Sequence, residues 1–147
     1  MLEKFILIFQ PGFCVALFIL GEPPTLQVVN LKTKEATILA EDIGRSLFRY
    51  PGEDNERICF SQKGVIKIVA VKSQKTEAEI PMLQGNDYFC LMPDGALVMA
   101  VKAELYRFRP GKDDHWTKIG DFSAFGINNI SRIAISPKGD KLAFVSQ

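Results

Sequence analysis

Apolar and polar positions form short runs along this chain, and proline-containing turns separate the runs at regular intervals. Pro11, Pro51, Pro93 and Pro137 open these turns and lie 40, 42 and 44 residues apart. An apolar run precedes and follows each turn. Proline fixes the first corner of a turn, and the glycine or aspartate after it tolerates the second. The pattern therefore predicts four hairpins, each made of two short strands.

A second series of runs repeats with the same period. Leu26, Ile66 and Leu105 begin alternating apolar runs that lie 40 and 39 residues apart, and each run is followed by a polar turn and another short apolar segment. No segment shows the 3.6-residue period of a helix. Four short antiparallel strands in about 40 residues are typical of one blade of a β-propeller.

The two series together predict an all-β fold and its division into blades. We expect a single partial β-propeller over residues 1–147, with blades at about 5–40, 45–83 and 87–122 and half a blade at about 130–147. This gives about 14 strands and an incomplete ring. Residues 1–20 have two interpretations, an inner strand pair or a signal segment. The register of Pro11 with the later turns favours the strand pair, because a signal peptide has no reason to keep that register.

The final segment of the chain resembles a known repeat. SPKGDKLAFVSQ, residues 136–147, resembles the SPDGKxLAFV signature of the TolB-like, WD40-like β-propeller repeats, and MPDGALVMAVKAELYRFRPG, residues 92–111, is similar to another blade of that family. The turn FQPGF, residues 9–13, departs from the signature. The resemblance implies a ring-shaped binding scaffold in the periplasm or outside the cell, and it supplies no catalytic residue.

Composition narrows the range of partners and chemistry. The chain has 18 basic and 17 acidic residues and a formal net charge of +1, so no strong field favours nucleic acid. Cys14, Cys59 and Cys90 lie within apolar runs, which predicts buried thiols. The apolar run at residues 13–20 is shorter than the roughly 20 residues of a membrane-spanning helix. We find no motif for a phosphate, a metal or a catalytic nucleophile, and we expect no cofactor.

Candidate binding residues lie in three segments that lead into the innermost strand of a blade, at residues 41–46, 84–88 and 126–132. We call these the lead-in segments. Loops on a rigid scaffold often carry function, so their polar side chains are expected at one mouth of the channel. The alternative is that they satisfy backbone groups there. The candidates are Arg45, Ser46, Asn86, Asp87, Tyr88, Asn128, Asn129, Ser131 and Arg132.

The single histidine is a weak candidate for a catalytic or metal-binding residue. His115 follows Asp113 and Asp114 in a predicted outer turn, where a charge relay or metal pair would lack a cleft and a partner nucleophile. Trp116 is expected to cover the edge of a blade.

These observations leave two possible functions, a binding scaffold and a part of an enzyme. The first is a non-enzymatic propeller scaffold that binds a protein or peptide through its axial face or blade rim. The alternative is the propeller portion of a hydrolase or peptidase whose catalytic domain is absent from this chain. Because an incomplete ring exposes apolar blade faces, we also expect self-association or a longer parent propeller.

Overall fold

A computed structural model describes the backbone of residues 5–10, 13–52 and 56–147, and the side chains from residue 21 onward within those ranges. The described residues form fourteen strands and one short 3₁₀ helix, Ser123–Phe125. The strands pair antiparallel in sheets of four or two. The predicted all-β fold built from four-stranded antiparallel blades is therefore confirmed. The chain divides into two units, Met1–Glu79 and Ile80–Gln147.

The first unit contains two four-stranded sheets, and in each the strands follow one another in chain order. Their strands are β1 (Phe5–Gln10), β2 (Phe13–Leu20), β3 (Thr25–Asn30) and β4 (Ala36–Glu41) in one sheet, and β5 (Ile43–Arg49), β6 (Arg57–Gln62), β7 (Val65–Ala70) and β8 (Lys75–Pro81) in the next. The last two residues of β8 belong to the second unit. The predicted turn at Pro11 and the side chain of Cys14 lie outside the described residues.

An apolar core lies between these two sheets. Its buried members come from β3, β5, β6 and β7 and from the residue after β7, and they are Leu26, Ile43, Leu47, Ile58, Phe60, Val69 and Val71. Strand β6 reads Arg-Ile-Cys-Phe-Ser-Gln, and its four central residues are all buried. A strand covered on both faces carries a continuous apolar run instead of an alternating one. A hydrogen bond also joins the two sheets: Gln62 Nε2 donates to the carbonyl of Glu41 at 2.6 Å.

The second unit contains one four-stranded sheet and one two-stranded sheet. The first has the order β12-β11-β10-β9 and the second pairs β13 with β14. These strands are β9 (Phe89–Leu91), β10 (Leu97–Val101), β11 (Glu104–Phe108), β12 (Thr117–Asp121), β13 (Ile130–Ile135) and β14 (Leu142–Ser146). Phe89, Leu97, Met99 and Ile130 are 0% exposed and form the centre of this unit. The amide of Ile130 donates to the carbonyl of Lys102 at 2.8 Å and ties the two sheets together.

The proline turns of the second unit show the expected chemistry. At the turn after Ser136, the Ser136 hydroxyl donates to Asp140 at 2.8 Å and accepts from the amide of Lys141 at 3.0 Å. Gly139 takes a φ of 73°, a left-handed conformation that other residues rarely adopt. At the earlier turn, Asp94 accepts from the amide of Ala96 at 3.0 Å. Serine and aspartate are therefore part of the signature because their side chains close the turn.

The thiol prediction is confirmed for two of the three cysteines. Cys59 and Cys90 are buried thiols on β6 and β9, at 0% and 5% exposure. They act as small apolar side chains within their sheets.

Candidate functional site

The first lead-in segment runs into β5, and two of its candidate residues lie inside that strand. Ile43 pairs with Gln62 and Leu47 with Phe60, so the three residues between them on β5 oppose a single residue on β6. This irregular pairing places Arg45 on the exposed surface, whereas Ser46 is 0% exposed. Irregular pairing of this kind redirects side chains at the edge of a sheet. Arg45 is therefore presented to solvent and Ser46 is part of the interior.

A close contact supports this irregular pairing. A Cβ atom on Gly44 would overlap the hydroxyl of Ser61, on the facing strand β6. The Ser61 hydroxyl is buried, at 3% exposure, and makes no hydrogen bond within the described chain. Because Gly44 has no side chain, it leaves the space that the Ser61 hydroxyl occupies. Neither was among the predicted site residues, since a glycine chosen for close approach gives no signal in a single sequence.

The second lead-in segment precedes β9 and contacts the third. Asn86 Nδ2 donates to the carbonyl of Ile130 at 3.2 Å, and Asn86 Oδ1 accepts from the amide of Tyr88 at 3.0 Å. Asn86 and Tyr88 are half-buried, while Asp87 between them is exposed. The structure therefore brings Asn86 to the start of β13, where its amide group satisfies backbone atoms.

The third lead-in segment also contains an irregular pairing. Ile130 pairs with Ser146 and Arg132 with Val145, which leaves Ser131 as an extra residue on β13. The Ser131 hydroxyl donates to the carbonyl of Val145 at 3.3 Å. The carbonyl of Asn129 accepts from the amide of Gln147 at 3.0 Å. The Ser131 side chain therefore satisfies a backbone carbonyl group.

The nine candidates separate into two groups by exposure. Ser46, Asn86, Tyr88 and Ser131 are buried or half-buried, and the hydrogen bonds described for Asn86 and Ser131 run to backbone atoms. The exposed members are Arg45, Asp87, Asn128, Asn129 and Arg132. They offer two cations, one anion and two amides, which are groups suited to hydrogen bonding and ion pairing with a polar ligand.

A small cleft of about 90 Å³ lies in the first unit, and none of the candidate residues is among those that line it. Phe60 and Val69 are among its apolar lining residues, and Gln62, Lys67 and Thr76 are among its polar ones. Lys67 Nζ lies 3.7 Å from a carboxylate oxygen of Glu79. This volume is well below the roughly 300–1,000 Å³ of a typical ligand pocket. The cleft therefore does not have the size of a peptide or cofactor site.

His115 lies where the sequence predicted, in the exposed turn between β11 and β12. Its side chain is 79% exposed, and its Nδ1 atom pairs with a carboxylate oxygen of Asp114, which is 93% exposed. Nearby, the Arg109 guanidinium makes a two-pronged contact with Asp113, with Nη2 at 2.7 Å and Nε at 3.1 Å from Asp113 Oδ1. That pairing lowers the pKa of Asp113. Within the described residues, no group of three or more His, Cys, Asp or Glu side chains is arranged to hold a metal ion.

The outer strands of the third sheet carry a polar cluster that was not among the candidates. Tyr106 donates its hydroxyl hydrogen to Glu104 at 2.5 Å, and Lys118 Nζ donates to the same carboxylate at 3.0 Å. The hydrogen bond from Tyr106, followed by that from Lys118, lowers the pKa of Glu104. The same contacts with Glu104 raise the pKa values of Tyr106 and Lys118. Glu104 and Tyr106 are two residues apart on one strand and share a face.

Trp116 contacts the last residue of β8, the outer strand of another sheet. Its indole Nε1 donates to the carbonyl of Pro81 at 2.8 Å, and its ring lies 5.5 Å from the ring of Phe108. The indole therefore satisfies a backbone carbonyl at the end of β8. The side chain has a structural role consistent with the predicted edge cover.

Comparison with known proteins identifies the fold. No protein-family model matches the chain, and no curated protein matches it in sequence. Among solved structures, the chain is similar to the crystal structure of TolB from Acinetobacter baumannii, with a TM-score of 0.56 and 16% sequence identity. The match covers 99% of this chain and 38% of the TolB chain. The chain therefore has a TolB-like, propeller-type fold, as the turn signatures predicted. A membrane-crossing helix would have to be long and apolar, and the described residues contain none.

Proposed function

We propose that this chain is a non-enzymatic binding module that holds a protein or peptide through the exposed side chains of its lead-in segments. The observation that carries the proposal is the irregular pairing at Arg45 and at Ser131, which sets polar residues at the start of otherwise regular strands. Beside these irregular pairs, Arg45 and Arg132 lie on rigid strands and are exposed to solvent. Binding residues are often carried in this way on rigid scaffolds.

The chemistry of the exposed groups supports a peptide-like ligand. Arg45 and Arg132 supply cationic donors, Asp87 supplies an anionic acceptor, and Asn128 supplies both a donor and an acceptor. A peptide presents the same mixture of amides, carbonyls and charges of both signs. The near-neutral net charge of +1 fits a partner chosen by local complementarity rather than by a long-range field.

The TolB-like fold also supports a scaffold function, although fold alone does not define an activity. The alternative of a hydrolase-associated propeller gains no support from His115. That residue is the sole histidine of the sequence and pairs with Asp114 in an exposed turn. A general base requires a cleft and a nucleophile within hydrogen-bond reach.

The test uses a selected peptide as the probe. A phage-displayed random peptide library is selected against the immobilised 147-residue chain, and the affinity of one selected peptide is measured by fluorescence anisotropy. We expect Asp87→Ala or Arg132→Ala, both in the second unit, to weaken binding by about tenfold, as for a residue at the centre of an interface.

Matched controls lie in outer turns. Lys72→Ala removes an exposed cation between β7 and β8, and Asp114→Ala removes an exposed anion between β11 and β12. Both are expected to leave the affinity unchanged. Peptides whose binding depends on Lys72 and Asp114, and not on Asp87 and Arg132, would contradict the proposal.

A further inference from the structure

The second and third lead-in segments meet at the side chain of Asn86. Its Nδ2 atom donates to the carbonyl of Ile130 at 3.2 Å, so a residue of the second segment contacts a residue of the third that lies 44 positions later in the chain. Asn86 is half-buried, and Ile130 is 0% exposed. The contact is therefore partly screened from solvent, where a hydrogen bond is stronger than on the open surface.

Both ends of this hydrogen bond are held by further contacts. The amide of Ile130 donates to the carbonyl of Lys102, in the turn after β10, at 2.8 Å. Asn86 Oδ1 accepts from the amide of Tyr88 at 3.0 Å, which closes a local turn in the second segment. The oxygen of the Asn86 side chain therefore shapes its own segment, and the nitrogen attaches that segment to β13.

The two segments differ in how their backbones are held. Residues 86–88 lie outside the strands, whereas β13 begins at Ile130 and pairs with β14. The position of a segment outside a sheet depends on individual contacts, because no ladder of backbone hydrogen bonds fixes it. The hydrogen bond from Asn86 is a contact that sets the second segment against the start of β13.

Exposed candidate residues lie on both sides of this contact. Asp87 follows Asn86 directly, and Arg132 lies two residues after Ile130. Two residues of extended chain span at most about 7 Å, so the backbone of each exposed residue lies close to the joined pair. A peptide of about five extended residues spans roughly 17 Å and can contact both of them.

We propose that Asn86 is a positioning residue, which joins the second and third lead-in segments into one surface so that a single peptide contacts Asp87 and Arg132 at the same time. This role rests on the proposed peptide-binding function and extends it to a side chain that is itself half-buried. Binding to two groups already held in place avoids the entropy cost of ordering one of them as the peptide binds. Loss of the contact between Asn86 and Ile130 should therefore weaken binding although every exposed side chain is still present.

Two substitutions separate the two hydrogen bonds of Asn86. Asn86→Asp keeps an oxygen for the Tyr88 amide, but its second carboxylate oxygen cannot donate to the Ile130 carbonyl, whereas Asn86→Ala removes both hydrogen bonds. The probe is one selected peptide whose binding is weakened by Asp87→Ala and by Arg132→Ala. We expect both Asn86 variants to weaken its binding by about fivefold to tenfold in fluorescence anisotropy.

Trp116→Phe is the matched control, because it also removes one hydrogen bond from a side chain to a backbone carbonyl in the second unit. It should leave the affinity for the peptide unchanged. Circular dichroism checks that each variant keeps the native strand content.

Two further measurements distinguish positioning from a general loss of stability. In the Asn86→Asp chain, the effect of Arg132→Ala on affinity should fall from about tenfold to about threefold or less, because the peptide no longer contacts both segments at once. In the unsubstituted chain, followed by NMR, the peptide should slow hydrogen exchange of the Tyr88 and Ile130 amides together.

Three results would overturn the role of Asn86 while leaving the peptide-binding function intact. They are an Asn86→Asp chain that binds the peptide as tightly as the wild type, an equal effect of Asn86→Asp and Trp116→Phe, and slowed exchange in one segment only. If no selected peptide depends on Asp87 or Arg132, peptide binding by the second unit is contradicted, and the role of Asn86 with it.

Discussion

The contact between Gly44 and Ser61 makes a quantitative prediction about the stability of the first unit. Gly44→Ala introduces a methyl group that overlaps the Ser61 hydroxyl. Overpacking of this kind costs about 1–3 kcal/mol. Replacing glycine by alanine recovers about 0.4–1 kcal/mol by restricting the unfolded chain. We therefore expect Gly44→Ala to lower the free energy of unfolding by about 1–2 kcal/mol.

Ser61→Ala should relieve the overlap and remove a buried hydroxyl without a hydrogen-bond partner. An unsatisfied buried group costs about 1–3 kcal/mol, so this substitution alone is expected to be neutral or stabilising. In the double variant, the nearest remaining atom is the residue 61 Cβ, 3.3 Å from the new methyl group, which is tight but does not overlap. The cost of Gly44→Ala should then fall to about 0.5 kcal/mol or less. The two substitutions should be coupled by about 1 kcal/mol or more.

The assay is urea unfolding of the four members of the cycle, followed by circular dichroism. Gly64→Ala serves as a control, because a Cβ at Gly64 meets no atom within 4 Å and its cost arises from a φ of 77°. That cost should be the same with Ser61 or with alanine at position 61. Equal costs of Gly44→Ala in the two backgrounds would refute the contact between Gly44 and Ser61.

Two further predictions concern the second unit. Because the folded-state pKa of Glu104 is lowered, the unfolded state binds more protons as the pH falls, and this stabilisation is lost below the ordinary carboxyl pKa. Urea midpoints of the wild type and Glu104→Gln should therefore converge as the pH falls from 7 to 3, and a constant difference would contradict the hydrogen bonds from Tyr106 and Lys118. Trp116→Phe removes the hydrogen bond to Pro81 and should cost about 0.5–1.5 kcal/mol in thermal or urea unfolding, whereas an unchanged midpoint would exclude a structural role for the indole.

The sequence predicted the strands well because the turns carry local signals. Ser136 and Asp140 close their turn through their own side chains, and Gly139 has the left-handed φ that its turn requires. Signals of this kind depend on neighbours within five residues. They can therefore be recognised in one sequence without knowledge of the tertiary structure.

The sequence did not predict how the lead-in segments pair. Arg45 and Ser46 were expected in a connection, but they lie inside β5 because extra residues are accommodated opposite β6. Whether a strand absorbs extra residues depends on contacts such as that of Gly44 with Ser61, which joins positions distant in sequence. The three-residue 3₁₀ helix at Ser123–Phe125 was also missed, since it is shorter than one period of a helical pattern.

The polar cluster around Glu104 could be predicted from the sequence only in part. The two-residue spacing of Glu104 and Tyr106 was visible in the sequence and places both on one face of β11. Their contact with Lys118 requires the register between β11 and β12, in which Tyr106 pairs with Lys118. That register includes an irregularity with no clear sequence signal. Period-2 patterning therefore indicates which residues share a face, but it does not indicate their partners on the next strand.

The most direct measurement of the binding proposal is amide chemical-shift mapping by NMR with a selected peptide. The largest changes are expected at residues 43–46 for a peptide bound to the first unit, or at residues 86–88 and 128–132 for a peptide bound to the second. Small changes are expected in the outer turns at residues 32–34, 72–74 and 111–115. Large changes confined to those outer turns, with the lead-in segments unaffected, would contradict the proposal that this chain binds its partner through the lead-in segments.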